Sequence, residues 1–325
     1  MLKQQNGLIY KDLCIDPHKS PKTEKVLLSH AHADHVKLSK DSEFFATPET
    51  IAIVKKRFAR KNKTNFSQIE FGKEKKFDDF SLILKPNGHV LGSSQINIST
   101  PEKNISITSD FRFQDSLLFK GLIPSHADTL VLETTFGSPS YVFPKQEDVT
   151  NEMISFVEKE ARTKLVLLSG YSLGKAQELT KISNDAGFTP LVHDSIFEMN
   201  EIYKDFGVDL GKYERLDHNL KDFSVLIMPP QLVDRFLLAT LREFDSRKIV
   251  SALATGWTYA RGFDKLFPLS NHADYNDLLE FVKLSEPRLV LTDHGFCEEF
   301  ARKLNRLGFN AKPLKQHNQR IIGEY

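Results

Sequence analysis

The chain has 325 residues, and its 44 Lys+Arg against 43 Asp+Glu leave a formal charge of +1, so there is no global basic field and any nucleic-acid surface has to be local. With 40% hydrophobic and 27% charged residues it reads as a soluble globular protein of one large or two smaller domains, not a disordered chain. Cys14 and Cys297 make neither a CxxC pair nor a disulfide framework, no apolar run approaches the ~20 residues of a membrane span, and Met1-Leu-Lys-Gln-Gln-Asn6 is no signal peptide; these features predict a cytoplasmic protein.

In chain order, Gly7-Leu-Ile-Tyr10 and Leu13-Cys-Ile15 read as two strands of a hairpin that delivers Asp16 just before Pro17. Asp16 is either a turn cap or a carboxylate that holds a metal-ligating histidine by its second ring nitrogen. His18 reads as surface. The apolar run Val26 to Leu28 is a buried strand that stops in His30-Ala-His32-Ala-Asp34-His35. In extended backbone His30, His32 and Asp34 project to one side, and His35, one step on, reaches a second position. That arrangement suits two adjacent metal ions. Imidazole and carboxylate without thiolate favour zinc or manganese.

His30-x-His32-x-Asp34-His35 resembles the HxHxDH signature of the metallo-β-lactamase superfamily. The resemblance implies an α/β fold, a four-layer αβ/βα sandwich with a two-metal hydrolytic site on its edge. It also decides between the readings of Asp16, whose strand-end position matches the superfamily's first motif and so supports a metal-ligating histidine.

Thr50 to Arg60 patterns as a helix running into Lys55-Lys-Arg57-Phe-Ala-Arg60-Lys61-Asn-Lys63, which is a phosphate grip or a solvated face. After the strand Ser81 to Leu84, Pro86-Asn-Gly88-His89 places a histidine among small residues with room for a metal, making His89 the third ligand of the first ion. Ile105 to Ile107 leads to Asp110, a carboxylate able to offer an oxygen to each ion and so to bridge them. Thr129 to Leu132 is a buried strand ending in Glu133. A second piece then opens with Tyr141-Val-Phe-Pro144, the helix Asp148 to Ala161 and the strand Leu165 to Leu168. The turn Ser169-Gly170-Tyr171-Ser172-Leu173-Gly174-Lys175 precedes a helix and is not a Walker motif; it is either an ordinary α/β turn or a phosphate cradle through Ser172 and Lys175. Short strands and helices continue to Ala254 without metal ligands; His193 and His218 read as structural or exposed, and His317 has no role. Near the end come His272, before a helix, and His294, after the strand Arg288 to Asp293.

With Glu133, His272 and His294 reached, the chain resembles the β-CASP nucleases over nearly its whole length, most of all the cross-link-repair DNA nucleases and their prokaryotic ligase-associated relatives. The resemblance implies residues 1–140 and 255–325 as the metallo-β-lactamase domain and 141–254 as an inserted β-CASP cap, a small α/β domain. It also implies a site: His30, His32 and His89 hold one ion, Asp34, His35 and His294 the other, Asp110 bridges, and His272, held by Glu133, is the general acid of phosphodiester hydrolysis. The implied protein is a 5′ exonuclease of DNA repair that uses two divalent transition-metal ions, with a DNA ligase or helicase as partner and no membrane. His294 departs from this side: the cross-link-repair enzymes usually carry valine there, while RNA-processing members carry histidine. DNA stays ahead of an RNA-processing ribonuclease. A small-molecule hydrolase does not explain the roughly 110-residue insertion or the Glu133 and His272 pair, and a catalytically dead binding subunit does not explain a full ligand set.

Overall fold

The computed structural model describes residues 2–58, 64–217, 220–257 and 262–314. Arg60, Lys61 and Lys63 of the cationic run, His218 and His317 lie outside the described residues. The fold is mixed α/β with three sheets, divided between two compact units. One unit takes residues up to 115, 120–142 and from 272 on; the other takes 116–119 and 143–271.

The first unit is built on two sheets. One runs Lys3–Gln4, Leu8–Tyr10, Leu13–Ile15, Lys25–Leu27, Glu43–Ala46 and Asn65–Gln68 in chain order, antiparallel at the hairpin and parallel from Leu13–Ile15 onward. The other orders Ala311–Pro313, Leu289–Asp293, Thr129–Glu133, Asn104–Ile107, Ser94–Ser99, Ser81–Pro86 and Glu74–Lys76. Side chains alternate across a strand, so Leu82, Leu84, Ile96 and Ile98 of the second sheet face Leu13, Ile15, Leu27 and Phe45 of the first in one core. Thr129–Glu133 is buried on both faces, as a central parallel strand requires. Val131 joins that core, whereas Leu130 and Leu132 join Phe281, Leu278 and Phe300 of the helices Tyr275–Ser285 and Cys297–Arg306. The C-terminal segment thus enters this sheet beside Thr129–Glu133, pairing Glu133 with Asp293. That pairing brings His294 to the end of the strand where Glu133 sits.

The inserted unit carries an all-parallel sheet ordered Glu214–Arg215, Leu191–Val192, Val225–Met228, Leu165–Ser169, Ile249–Ala254 and Lys265–Phe267. Its core joins Val166, Leu168 and Ile227 to Val149, Met153, Leu179 and Ile182 of the helices Gln146–Glu160 and Lys175–Asp185. Lys265–Phe267 adds as an edge strand to Ile249–Ala254, and this unit runs to residue 271, where the resemblance implies a boundary at 254. Among the described residues no helix is long and apolar enough to cross a membrane.

Tyr275–Ser285 starts at Asp274, whose Oδ1 accepts from the Asp277 N–H at 2.9 Å, and Asp277 in turn accepts from Gln114 Nε2 at 3.1 and 3.2 Å. Burial first and the Asp274 charge second push the Asp277 carboxyl up to about 6. A raised acid keeps its proton in the folded chain after the unfolded chain has lost it, so its support for folding fades as pH rises through the folded value. The stability of wild type relative to Asp277→Asn should therefore fall by about 1 kcal/mol between pH 5 and pH 7, allowing for solvent screening. Urea unfolding of both proteins at the two pH values measures this; equal differences at both would show that Asp277 titrates normally.

Candidate metal centre

Lys25–Leu27 ends one strand and the chain then runs irregularly through His30, His32, Asp34 and His35. Contacts from other segments hold this loop. Arg57, in the last turn of the helix Pro48–Arg57, donates from Nη1 to the Ala31 carbonyl at 2.8 Å, so this member of the cationic run serves the loop. Asp16 takes the Ser29 N–H at 2.8 Å on Oδ1, and on Oδ2 the Ser29 hydroxyl at 2.5 Å and His35 Nδ1 at 3.0 Å. Ser29 Oγ also lies 2.9 Å from His30 Nδ1 and 2.5 Å from Ser109 Oγ. One carboxylate and two hydroxyls thus orient two imidazoles from behind. Asp16 (φ 46°), Ser109 (φ 50°) and His294 (φ 59°) all adopt left-handed backbone, a conformation costly for residues with a Cβ and concentrated here around the site.

His89 follows Ser81–Pro86 in a turn pinned by Asn87. Asn87 Nδ2 donates to the carbonyls of Thr108 and Asp110 at 3.0 and 2.8 Å, and its Oδ1 accepts from Ser93 Oγ at 2.5 Å. The turn that carries His89 is thereby tied to the loop that carries Asp110. Gly92 allows the close approach: a Cβ there would meet the Thr50 nitrogen at 2.6 Å.

The side chains converge on Asp110. Its Oδ2 lies 3.5 Å from His30 Nε2, 3.4 Å from His35 Nε2 and 3.8 Å from His89 Nε2, and His89 Nε2 is 3.0 Å from His32 Nδ1. Asp34 Oδ2 is 3.5 Å from His35 Nε2, and the His294 ring centroid lies 5.6 Å from that of His35. On the other side, His272 Nδ1 lies 3.0 Å from Glu133 Oε1, and the His272 ring is 4.7 Å from that of His89. Glu133 Oε2 accepts from the Thr135 N–H at 2.8 Å.

Charge follows this geometry. Burial, then the neighbouring His35, pushes His30 well below the usual imidazole range. Burial opposes a proton on His35, yet Asp110 and then Asp16 hold it well above that range. Asp110, for all its burial, is held well below the ordinary carboxylate range chiefly by His35; at Asp34 desolvation pushes upward, and His35 together with His32 brings it below the ordinary value. A fully buried neutral imidazole with no hydrogen-bond partner at Nε2 is what His30 presents. His30, His32, His89 and Asp110 offer four donor atoms within 4.8 Å of one another, a set that fits a divalent transition metal.

The remaining expectations divide. His18 is half-buried and its ring sits edge-on to His294 at 6.2 Å, so it faces the site, although nothing in its Asp-Pro-His setting signals this. Ser29, Asn87 and Ser109 were likewise invisible as supports, because their partners lie far along the chain. The phosphate cradle at residues 169–175 is not assembled as expected. Lys175 is buried with Nζ on the Leu269 carbonyl at 2.5 Å, the Gly174 N–H donates to Gln177 Oε1 at 2.6 Å, and Ser172 Oγ pairs with Ser195 Oγ at 2.9 Å. The donors meant for a phosphate are engaged within their own unit.

No protein-family model matches the chain. Over 99% of its length it is 32% identical to a protein named "Probable DNA ligase" from Opitutus terrae, of which it spans 32%. It is 25% identical to the DNA cross-link repair 1A protein of Mus musculus over 81% of its length, spanning 28% of that protein. With RNase aCSPSF2 of Saccharolobus solfataricus it shares 26% identity over 62% of its length, spanning 47%. The chain therefore spans less than half the length of each of these relatives. A crystal structure of a protein of unknown function from Enterococcus faecalis V583 shares the fold, with a TM-score of 0.61 at 16% identity, over 87% of this chain and 77% of that one.

Purified protein should hold two transition-metal ions per chain, because seven donor side chains are too many for one tetrahedral ion. Asp110→Ala should lower the content of both. Elemental analysis after metal loading and desalting reads this, and no more than one tightly held ion in wild type would count against the second position.

Proposed function

We propose, for a chain whose homologues among the DNA cross-link repair proteins and RNases are β-CASP members of the metallo-β-lactamase superfamily, a metal-dependent nuclease that degrades DNA from a 5′ end. On this reading the first unit is the four-layer sandwich and the inserted unit the β-CASP cap. The observation that carries the chemistry is the pairing, in one place, of a buried histidine and aspartate cluster with a separate His272–Glu133 dyad.

His30, His32 and His89 would hold one ion and Asp34, His35 and His294 the other, with Asp110 between them and Asp16 fixing the His35 ring. Bound there, two divalent cations of the zinc or manganese kind supply an activated water and offset the charge that develops on the phosphodiester. The chain's own residues do the rest. Asp16 and Ser29 keep the imidazoles of His35 and His30 in register, so the donor set is formed in advance of binding. Glu133 engages Nδ1 of His272, leaving Nε2 to carry a proton to the departing 3′ oxygen.

DNA is favoured by the match over 99% of the chain to a protein named "Probable DNA ligase", which also makes a ligase acting on the same ends the preferred partner, ahead of a helicase. Polarity rests on the resemblance to the cross-link-repair proteins, since Lys175 is engaged elsewhere. A second reading, an RNA-processing ribonuclease, is favoured by His294 and by the RNase relatives. A ribose 2′-OH is the feature by which a site tells the polymers apart. Matched single strands differing only in sugar decide: DNA should be cut with the higher kcat/KM at equal salt, and the reverse order makes the protein a ribonuclease.

His272→Ala should keep both ions yet lose about 10² to 10⁴ in rate on natural strands, the usual cost of removing a general acid. A nitrophenyl phosphodiester, whose leaving group needs no proton, should be hydrolysed nearly as before. Equal damage on both substrates would show that His272 is a ligand or a phosphate contact.

A further inference from the structure

Glu133 and His272 hold donor atoms that neither ion of the proposed pair uses. Glu133 Oε1 and His272 Nδ1 stand 3.0 Å apart, close to the roughly 3.3 Å between neighbouring donors on a tetrahedral zinc with bonds of about 2.0 Å. Asp110 completes the set: it, Glu133 and His272 each offer a donor atom, all within 4.8 Å of one another. Two carboxylates and an imidazole offset a divalent charge and suit a borderline metal. The approach is open on one side, since the His272 side chain is 21% exposed while that of Glu133 is 1% exposed. The opposite oxygen, Glu133 Oε2, is held by the Thr135 N–H, which fixes Oε1 toward His272.

We propose that Asp110, Glu133 and His272 form a third, weaker cation site, filled by excess zinc, which displaces the contact between Glu133 and His272. An ion there takes the acid out of action, so the metal that activates the enzyme also inhibits it at higher concentration. The inference rests on His272 being the acid of the two-ion reaction. The site is weaker than the other two because Asp110 is shared with them and because a third divalent charge is repelled by the pair.

Equilibrium dialysis of the holoprotein against buffered free zinc tests this, with cleavage rates taken on single-stranded DNA and on a nitrophenyl phosphodiester across the same range. Wild type should take up a third ion after the first two, and strand cleavage should fall as it binds while nitrophenyl hydrolysis falls much less. Glu133→Gln should weaken the third step at least about tenfold and leave the first two in place. If that variant loses the first two ions as well, His272→Ala must delete the third step alone. Two tight ions with no third step over the inhibitory range overturns the proposal and leaves the two-ion reading standing, and so does a third step unchanged in both variants. Fewer than two tight ions in wild type removes that reading and this proposal with it.

Discussion

The molecule depends on keeping the Asp110 carboxylate charged where water barely reaches. An isolated buried carboxylate would neutralise itself, and three imidazole nitrogens within 3.8 Å of its Oδ2 are what prevent this. The neighbours are not equivalent. His35, gripped by Asp16 on its far side, carries positive charge toward Asp110, while His30, fully buried, does not. In the metal-free protein one imidazole thus stands in for a cation, and His30 is already a neutral donor. Metal binding exchanges a proton for an ion in a framework whose remaining hydrogen bonds stay as they are.

That framework is long-range in sequence and short-range in space. Asp16, Ser29 and Ser109 come from three segments of the first unit, and the Asn87 amide stitches a fourth to the backbone at residues 108 and 110. The strand Leu289–Asp293, from beyond the insertion, completes the same sheet edge beside Glu133. A chain interrupted by well over a hundred residues still closes one site, because strand pairing is indifferent to what lies between the strands.

This explains what was legible in the sequence. The gathering of His30, His32, His35, His89 and Asp110 could be read because each follows an apolar strand pattern, and strand ends of two sheets that share a core can collect in space. Mixed α/β architecture was legible from the same alternation. The supports were not: Asn87, Ser29 and Ser109 are ordinary turn residues until their partners are known. Local pattern also misled. Gly174 followed by Lys175 has the look of an anion-binding turn, but Gln177 folds back onto the Gly174 N–H and the Leu269 carbonyl, 94 residues away, receives the ammonium. Arg57 looked like part of a phosphate grip and instead secures the histidine loop.

The left-handed backbone at His294 bears on how such sites diverge. At φ 59° a side chain branched at Cβ is strongly disfavoured, and the following Gly295 leaves no slack, since a Cβ there would lie 2.4 Å from the Thr134 carbonyl oxygen. Histidine tolerates this conformation far better than valine. Exchanging one for the other at this position is therefore not a simple swap of side chains on a fixed scaffold. The turn itself has to be redrawn, and with it the hydrogen bond that Thr134 Oγ1 gives to the His294 carbonyl at 2.7 Å. In this chain the choice between histidine and valine at residue 294 is therefore made by the main chain as well as by the side chain's chemistry.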